Sequence, residues 1–528
     1  MIKLEFHLIY LKKMLKNKIL WVDDEVDLLK PHIIFLEKKG YVTQPCSNGN
    51  DALDLINNNK YDLILLDENM PGLSGIETLK KIKKIQNNLP VVMVTKSEEE
   101  YLMEEAIGSK IADYIIKPVN PMQILLSLKK ILQHNDIVQN VTLNNYQNEF
   151  SKISIELSNL KSFSDWKLFY KKLVYWELEL ENSSDINMID IFNSQFKEAN
   201  SMFSKFISNN YKEFFKNKDE APVLSNTLFK EKIFPLLGKD TTVVLLVIDN
   251  LRLDQWKSIQ EHITPLYNNF VEAEYFSILP TTTQYARNSI FSGMLPIEIS
   301  KFHPEYWKND NEIGGKNNFE EELLKIQLEK LNFNEKFSYH KITNIKSGKS
   351  LINSFNNHKD EALICIVYNF VDMISHAKSE MEIIKELASN NKAYRSLTKS
   401  WFSNSPLFEL IKKSRSLNQK LIITSDHGTI NVDNSIEIIG DKESSINLRY
   451  KTGKSLKYPF KNVFEVNEPQ EIGLPKLGIN HNYIFAKNSN YFIYPKNYNY
   501  YSNLFKNSFQ HGGISMEEMI VPFIIFNP

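Results

Sequence analysis

The stretch that decides the fold is TTVVLLVIDN, residues 241–250, in which six consecutive apolar residues run directly into Asp249. Two other stretches of the C-terminal half repeat this pattern, ALICIVYNFVD at 362–372 and LIITSDH at 421–427. A short apolar run bounded by polar residues predicts a strand that is buried on both faces of a sheet. Because functional residues of α/β sheets lie at the carboxyl ends of parallel strands, we expect the polar residues after these runs to meet at one sheet edge.

Six side chains of metal-binding type and one threonine occur in order along this half, and most of them follow such a run. They are Asp249, Thr283, Asp372, His376, Asp426, His427 and His511. Divalent ions take three or four ligands of this nitrogen and oxygen type, and a hydroxyl between two ions becomes nucleophilic at neutral pH. The pattern therefore predicts an enzyme, specifically a two-metal hydrolase.

The local sequence around these residues supports a shared site. Asp372 and His376 are four residues apart, so on a helical turn they share one face and can bind the same ion. Three threonines precede YARNSIFSG, which predicts a helix whose N-terminal N–H groups favour a phosphate or an ionised hydroxyl. From this pattern alone Thr281, Thr282 and Thr283 are all candidates for the nucleophile.

The front of the chain, from residue 17 to about residue 134, alternates apolar strands with amphipathic helices five times. Five β/α units predict a doubly wound parallel sheet. Polar residues again follow the strands: Asp23, Asp24, Asp67, Thr95 and Lys117. Three carboxylates at one sheet edge repel each other unless a cation lies between them, and oxygen ligands suit Mg²⁺. A hydroxyl and a lysine nearby can hold phosphoryl oxygens.

This front domain resembles a two-component receiver domain, which has the flavodoxin-like α/β fold. The resemblance implies that Asp67 is the phosphoacceptor and that Asp23 and Asp24, with Asp67, hold Mg²⁺. It implies that Thr95 and Lys117 sense the phosphoryl group and that Tyr114 is the aromatic switch residue. It also implies a sensor histidine kinase as partner and a homodimer that forms on phosphorylation, because the new charge reorganises the adjacent face.

The middle of the chain predicts a small helical bundle. Apolar residues recur at helical spacing over three long segments, and Ser162 or Ser164 is placed to cap one of the helices. No helix-turn-helix pattern followed by a basic helix is present, and the formal net charge of the chain is -1. Both observations argue against direct DNA binding.

The order Asp, Thr, DxxxH, DH, His resembles the alkaline phosphatase superfamily, and most closely its nucleotide pyrophosphatase/phosphodiesterase branch. VIDNLRLDQW, LPTTTQYARNSIFSGMLP and RYKTGKSL further resemble a PglZ domain. The whole arrangement resembles PorX-type response regulators, which regulate type IX secretion. We therefore expect a receiver at residues 14–134, a helical bundle at 135–236 and an α/β PglZ domain at 237–528. The polar, strand-poor stretch 301–358 predicts a capping insertion in that domain.

The resemblance implies two Zn²⁺ sites, with Mn²⁺ as the alternative metal. One site would use Asp249, Thr283, Asp426 and His427, and the other Asp372, His376 and His511. The family's spacing from Pro280 makes Thr283 the nucleophile. The implied substrate is an oligonucleotide or cyclic nucleotide diester. Candidate substrate contacts lie beside the ligands in sequence or in a basic cluster, and the alternative for that cluster is a solvated charged loop. The residues beside the ligands are Asn250, Arg252 and Arg287, and the basic cluster is Arg449, Lys451 and Lys454.

A rival hypothesis makes the PglZ half a metal-stabilised interaction module that docks a sigma factor or a type IX secretion component. Under either hypothesis we expect a cytoplasmic protein. The two cysteines, Cys46 and Cys365, give no disulfide framework, and no run of about 18 apolar residues predicts a membrane span. Residues 1–13 are expected to be an upstream extension, with Met14 as the true start; the alternative is a short extra strand or helix.

Overall fold

The computed structural model describes residues 17–96, 100–217, 221–238, 241–369, 390–440 and 447–528, together with residues 371, 386 and 388. The expected extension at residues 1–13, Met14, and the predicted ligands Asp372 and His376 lie outside the described residues. The chain divides into two compact units, Met1–Asn144 and Asn145–Pro528.

The first unit contains the predicted doubly wound sheet, in which all five strands are parallel and the spatial order is β2-β1-β3-β4-β5. The strands are β1 (Lys18–Val22), β2 (Val42–Cys46), β3 (Leu63–Leu66), β4 (Val91–Thr95) and β5 (Asp113–Ile116). The helices are α1 (Lys30–Lys38), α2 (Gly49–Asn58), α3 (Gly75–Ile85), α4 (Glu100–Gly108) and α5 (Pro121–Leu132).

The central strands are apolar throughout because helices cover both faces of the sheet. Leu20 and Ile64 lie in the core on one face, whereas Trp21 and Leu65 lie in the core on the other. Burial on both faces removes the polar–apolar alternation that a half-exposed strand would show.

The second unit begins with the helical bundle that the sequence predicts. A long helix, α6 (His134–Asn159), leads into α7 (Phe163–Leu180) and α8 (Ile186–Asn210). Ser162, one of the two serines considered, caps α7 by accepting a hydrogen bond from the backbone N–H of Asp165. Trp166 and Phe203 pack together between the helices, so these aromatic residues belong to the core of the bundle.

A six-stranded mixed sheet forms the centre of the catalytic half, in the order β7-β18-β10-β6-β9-β8. Its strands are β6 (Val243–Ile248), β7 (Asn269–Phe276), β8 (Phe337–Ile342), β9 (Leu363–Tyr368), β10 (Lys420–Thr424) and β18 (Ile520–Asn527). Strands β10, β6, β9 and β8 are parallel, whereas β18 is antiparallel to both of its neighbours. The parallel pairing of β6 with β10 brings the residues that follow them, Asp249 and Asp426, to one edge.

Smaller elements surround this sheet. The short strands are β11 (Ile430–Asn431), β12 (Asn434–Glu437), β13 (Tyr450–Gly453), β14 (Val463–Val466), β15 (Asn482–Ala486), β16 (Asn490–Ile493) and β17 (Phe509–Gln510). The helices are α9 (Glu213–Lys216), α10 (Ser225–Leu228), α11 (Leu253–Ile263), α12 (Asn288–Ser292), α13 (Pro296–Phe302), α14 (Glu320–Lys330), α15 (Ile345–Ser354), α16 (Asn391–Ser403), α17 (Pro406–Ser416), α18 (Tyr498–Phe505) and α19 (Met516–Met519).

The stretch 301–358 is more regular than the sequence suggests, because it supplies the edge strand β8 as well as helices. The polar residues of β8 conceal it, since an edge strand is only half covered. None of the helices in the described ranges has both the length and the apolar character that a membrane span requires.

Candidate active site and receiver site

Three predicted metal ligands converge at the carboxyl edge of the six-stranded sheet. Asp249 follows β6, while Asp426 and His427 follow β10 and its first loop residue, Ser425. All three side chains are buried, and each offers a ligand atom within 4.8 Å of the other two. The loop needs glycine at position 428, because a Cβ there would lie 2.0 Å from the carbonyl oxygen of Glu517.

Thr283 lies against this cluster. Its Oγ1 donates a hydrogen bond to Oδ1 of Asp249 at 3.3 Å and lies 3.2 Å from Nε2 of His427. Thr283 begins a π-helical turn, Thr283–Arg287, that continues into α12. Single π-helical turns are frequent at functional sites, where they re-aim a side chain.

The two other candidate threonines have different surroundings. The Thr281 hydroxyl donates to the carbonyl of Gly513 and accepts from the N–H of Gly512, so it ties this loop to the one that carries His511. The Thr282 hydroxyl is buried and has no hydrogen-bond partner among the described residues. Thr283 is the only one of the three whose hydroxyl, in this part of the structure, contacts the carboxylate and imidazole cluster.

The two histidines lie side by side, with ring centroids 4.4 Å apart. Nδ1 of His427 is 3.1 Å from the carbonyl oxygen of Gly428, and Nδ1 of His511 is 3.2 Å from that of Thr281. A carbonyl only accepts, so each Nδ1 carries a proton, and Nε2 of His427, whose imidazole is neutral at pH 7, keeps its lone pair. This tautomer is the one that a metal-ligating histidine needs.

Among the described residues around Asp249 and Asp426, Arg287 supplies the positive charge. Its Nη1 lies 2.7 Å from Oδ2 of Asp249 but 3.7 Å from Oδ2 of Asp426. Its Nε donates to Glu320, which is itself buried, at 2.6 Å. Arg287 therefore neutralises Asp249 well and Asp426 only weakly.

The pKa values follow this asymmetry. Burial raises the pKa of Asp426 to about 8, with a further increase from the Asp249 carboxylate. Burial also acts to raise the pKa of Asp249, but Arg287 and His427 outweigh it and hold the pKa below its usual range. Burial lowers the pKa of His427 to about 4, so its imidazole is neutral at pH 7.

The residues fit a divalent metal ion. Oδ2 of Asp426 is buried and accepts no hydrogen bond from the described residues, although buried carboxylate oxygens almost always have a partner. It faces two further ligand atoms of the kind that zinc prefers, a carboxylate oxygen and an imidazole nitrogen with a lone pair. Asp249, Asp426 and His427 would hold one ion, with Thr283 beside it. Of the second predicted set, only His511 lies among the described residues.

The predicted substrate contacts are not gathered together. Asn250 is buried, and its backbone N–H donates to Asp426 at 3.2 Å. Arg252 is buried and donates through Nε to Asp254 at 2.8 Å, and Arg449 is buried and donates through Nη2 to Glu518 at 2.6 Å. Both guanidinium groups are thus engaged in internal ion pairs.

The two lysines of the predicted basic cluster differ in burial. Lys451 is buried, and its ammonium group lies 4.7 Å from the Tyr494 ring centroid, whereas Lys454 is exposed. Burial lowers the pKa of Lys451 to about 7. Among the six predicted residues, Arg287 and Asn250 contact the ligand cluster within the described part of the structure.

Two residues that sequence reasoning missed support the site. Asn317 donates through Nδ2 to the carbonyl oxygen of Thr283 at 2.9 Å. Glu320 accepts from Arg287 and from Lys341, whose Nζ is 2.9 Å away. Both belong to the polar stretch 301–358, where nothing in the local pattern distinguishes them from solvated side chains.

The receiver site lies at the carboxyl edge of the parallel sheet. Asp23, Asp24 and Asp67 form the second cluster of potential ligands, with Asp24 exposed and the other two buried. Nζ of Lys117 donates to Asp23 at 2.7 Å and to Asp67 at 2.8 Å. Thr95 is fully buried at the end of β4, and Tyr114 lies half-buried on the neighbouring strand β5.

Lys117 offsets part of the negative charge of this site. Burial raises the pKa of Asp67 above its ordinary value. Burial opposes the charge on Lys117, but the hydrogen bonds that it donates to Asp23 and Asp67 outweigh burial and raise the pKa of the lysine. Oxygen ligands with one exposed carboxylate fit Mg²⁺, which keeps several waters when bound.

Comparison with known families gives three matches in order along the chain. The receiver domain of response regulators matches residues 19–129, and the linker domain of PorX response regulators matches residues 136–215. The PglZ alkaline phosphatase-like domain of BREX systems matches residues 228–526.

Individual relatives match the front of the chain. The transcriptional regulatory protein CpxR homolog of Haemophilus influenzae is 34% identical over 145 residues, 27% of this chain and 62% of the relative. ResD of Bacillus subtilis is 35% identical over 118 residues, 22% of this chain and 49% of that protein. The chain thus spans about half to three fifths of the length of these curated relatives.

Among solved structures, CheY4 of Vibrio cholerae is 26% identical and covers 22% of this chain and 99% of its own, with a TM-score of 0.22. TrrA of Thermotoga maritima is 29% identical, with coverages of 22% and 99% and a TM-score of 0.21.

Proposed function

Because the chain belongs to the PglZ family and has the domain order of PorX-type response regulators, we propose that it is a response regulator with a metal-dependent phosphodiesterase output. Phosphorylation of Asp67 by a sensor histidine kinase would control hydrolysis of oligonucleotide or cyclic nucleotide diesters. The regulated process would be type IX secretion, and the protein would act in the cytoplasm.

The observation that carries the proposal is the position of the Thr283 hydroxyl. It is within hydrogen-bonding distance of both an aspartate and a neutral histidine, in a cluster that contains a buried carboxylate oxygen without a hydrogen-bond partner. A hydroxyl nucleophile within hydrogen-bonding distance of a group that can accept its proton is the arrangement that covalent phosphoryl transfer requires.

The chain's own residues have distinct roles in this reaction. The oxygen of Thr283 attacks phosphorus in line, the bond to the leaving alkoxide breaks, and the hydroxyl proton passes towards Oδ1 of Asp249, its hydrogen-bond acceptor. Water then hydrolyses the phosphothreonine. Arg287 fixes Asp249, and Asn317 fixes the backbone of Thr283. Preorganised groups of this kind lower the barrier because they need not reorient during the reaction.

The metal would be Zn²⁺, two ions in all, held by Asp249, Thr283, Asp426 and His427 at one site and by Asp372, His376 and His511 at the other. When bound, zinc lowers the pKa of a hydroxyl and offsets the negative charge that develops on phosphoryl oxygens.

The first experiment compares turnover of bis-p-nitrophenyl phosphate with that of p-nitrophenyl phosphate by zinc-loaded, full-length protein. We expect the diester to be preferred and Thr283→Ala to reduce kcat by about 10³-fold or more, as loss of a nucleophile does. Thr282→Ala is the matched control, because its hydroxyl has no partner to lose among the described residues.

Zinc content of each variant separates the two ways in which activity can be lost. Thr283→Ala with normal zinc and no turnover supports the nucleophile. Full activity of Thr283→Ala would overturn the covalent mechanism. Zinc-loaded wild-type protein that hydrolyses neither ester would favour the interaction module that docks a sigma factor or a secretion component.

The receiver half has its own test. Beryllofluoride, which mimics the aspartyl phosphate, should increase the dimer fraction measured by analytical ultracentrifugation, and Asp67→Ala should abolish the increase. An equal increase in Asp67→Ala would contradict phosphorylation control through this residue.

A further inference from the structure

A cleft of about 1140 Å³ lies between helices α7 and α8 of the bundle and the catalytic domain, within the second unit. Its walls contain none of the residues assigned above to the reaction. The volume is slightly above the range of about 300–1,000 Å³ that small-molecule sites have, and a position between two domains is typical of them.

The positive side chains that line this cleft are already neutralised or hydrogen bonded. Arg395 pairs with Glu177 at 2.6 Å and with Glu181 at 2.9 Å. Lys197 pairs with Asp433 at 2.7 Å, and Lys392 donates to the carbonyl oxygen of Glu181 at 2.8 Å. A phosphate or carboxylate ligand would therefore find little unpaired positive charge here.

Two carboxylates of the lining lack a cationic partner among the described residues. Glu517 is 8% exposed, and its Oε2 accepts a hydrogen bond from Asn200 at 2.8 Å. No other described residue donates a hydrogen bond to Oε1, so this nearly buried carboxylate can accept a further one from a ligand in the cleft that it lines. Asp190 also lines the cleft and is exposed, and its carboxylate has no partner within the described ranges.

These carboxylates lie far apart, at two positions along the length of α8: Asp190 belongs to α8, and Glu517, on α19, contacts α8 at Asn200. Asp190 and Asn200 are ten residues apart on α8, about 15 Å at 1.5 Å per residue, and Asn200 contacts Glu517. Phe196 and Ile430 contribute apolar surface to the same lining. Burial raises the pKa of Glu517 to about 7, against the lowering effects of the Asn200 hydrogen bond and of the Arg252 charge.

We propose that this cleft binds a linear polyamine of the spermine class. A terminal ammonium group would donate to Oε1 of Glu517, a distant amino group would pair with Asp190, and the methylene chain would lie along the apolar wall. A single divalent cation could pair with only one of these carboxylates at a time, because the two carboxylates are too far apart for one ion to contact both. Length is therefore the property that the cleft selects.

The test is calorimetric titration of full-length, zinc-loaded protein with spermine and with the short diamine putrescine. We expect spermine to bind at least tenfold more tightly than putrescine. Glu517→Gln and Asp190→Asn should each weaken spermine binding about tenfold and leave putrescine less affected. Glu198→Gln, an exposed acid on α8 outside the lining, should bind spermine normally.

The remaining outcomes each overturn the proposal. Equal affinity for spermine, putrescine and Mg²⁺, unchanged in the variants, would show only general charge attraction. Absence of spermine binding would exclude the site. A trilysine peptide that binds as tightly as spermine, with the same losses in both variants, would reassign the cleft to lysine side chains of a partner protein.

Discussion

The receiver site and the catalytic site both bring carboxylates together at the carboxyl ends of parallel strands, but the two sites neutralise these carboxylates differently. In the receiver, one lysine lies between Asp23 and Asp67 at 2.7 and 2.8 Å. In the catalytic site, Arg287 reaches Asp249 at 2.7 Å but is 3.7 Å from Asp426, which retains an unpartnered oxygen.

The difference matches the two tasks. A switch must be stable in both of its states, and an internal lysine that can transfer from carboxylate to phosphoryl oxygens meets this need. A metal-dependent enzyme must instead retain affinity for an external ion, and an unneutralised buried carboxylate supplies that affinity. The comparison implies that metal removal will affect the two halves unequally.

Chelation should give the largest effect. Removing zinc with 1,10-phenanthroline should abolish diester turnover and lower the stability of the second unit by about 4 kcal/mol, the linkage contribution at a thousandfold excess over Kd. Amide hydrogen exchange measured in β6 and β10 should accelerate, while exchange in β1 and β3 should not. Equal acceleration in both sheets would contradict the comparison.

Asp426→Asn should change stability in opposite directions with and without zinc. Without metal, the raised pKa of Asp426, about 8, means that the folded state holds this proton more tightly than the unfolded state. The stability that comes from holding this proton is therefore fully present at low pH, and it is lost as the pH rises from about 4 through 8. At pH 9 the neutral asparagine should stabilise the metal-free protein by about 2–4 kcal/mol.

With zinc bound, the same substitution removes a ligand, so the variant should unfold at a lower temperature than the wild type. Thermal unfolding at pH 5 and pH 9, each with and without zinc, measures all four cases. Asp433→Asn, which alters a half-exposed carboxylate outside the cluster, is the control. A variant that is destabilised at pH 9 whether or not zinc is present would show that Asp426 is already neutralised by the protein.

Lys117→Ala tests the receiver side of the comparison. It leaves Asp23 and Asp67 buried without their cation, so the first unit should lose about 3 kcal/mol, and Mg²⁺ should restore part of it. Lys80→Ala removes an exposed pair with Glu105 and should cost less than about 1 kcal/mol. Urea unfolding followed through Trp21, which lies in the receiver core, reports the change. Equal losses in the two variants would refute internal neutralisation.

The fold was largely predictable because its central strands are continuous apolar runs, and these identify both sheets and the residues that end their strands. Strand β8 was not predicted, since FSYHKI is half covered at the sheet edge and lacks an apolar run. The metal cluster was predictable for the same reason as the strands: Asp249 directly follows β6, and Asp426 and His427 are the second and third residues after β10.

The surroundings of the site were less predictable. Arg252 and Arg449 look like surface cations in the sequence, but each is buried against an acid. Glu518 is 69 residues from Arg449, so no local pattern could reveal the pairing. Asn317 and Glu320 were missed for the same physical reason, because long-range contacts give a polar residue its role.

The smallest expected effect comes from the hydrogen bonds that hold the backbones of Asp67 and Asp426. The Asp67 backbone continues its strand, with its N–H bonded to the carbonyl of Val22, whereas Asp426 lies beyond its strand and its carbonyl accepts a hydrogen bond from Ser277 Oγ at 2.7 Å. Ser277→Ala should therefore lower stability by about 1 kcal/mol and diester kcat by at most about tenfold.

Ser158→Ala, an exposed serine on α6, is the control for loss of a hydroxyl and should change neither quantity measurably. Zinc affinity, measured by competition with a chelator, separates positioning from stability: a shifted Asp426 should bind zinc more weakly in Ser277→Ala. Unchanged zinc affinity together with a kcat loss as large as that of Thr283→Ala would contradict a purely positioning role. Normal zinc affinity and normal kcat would show that the loop holds Asp426 without this hydroxyl, as the sheet ladder holds Asp67 in the receiver.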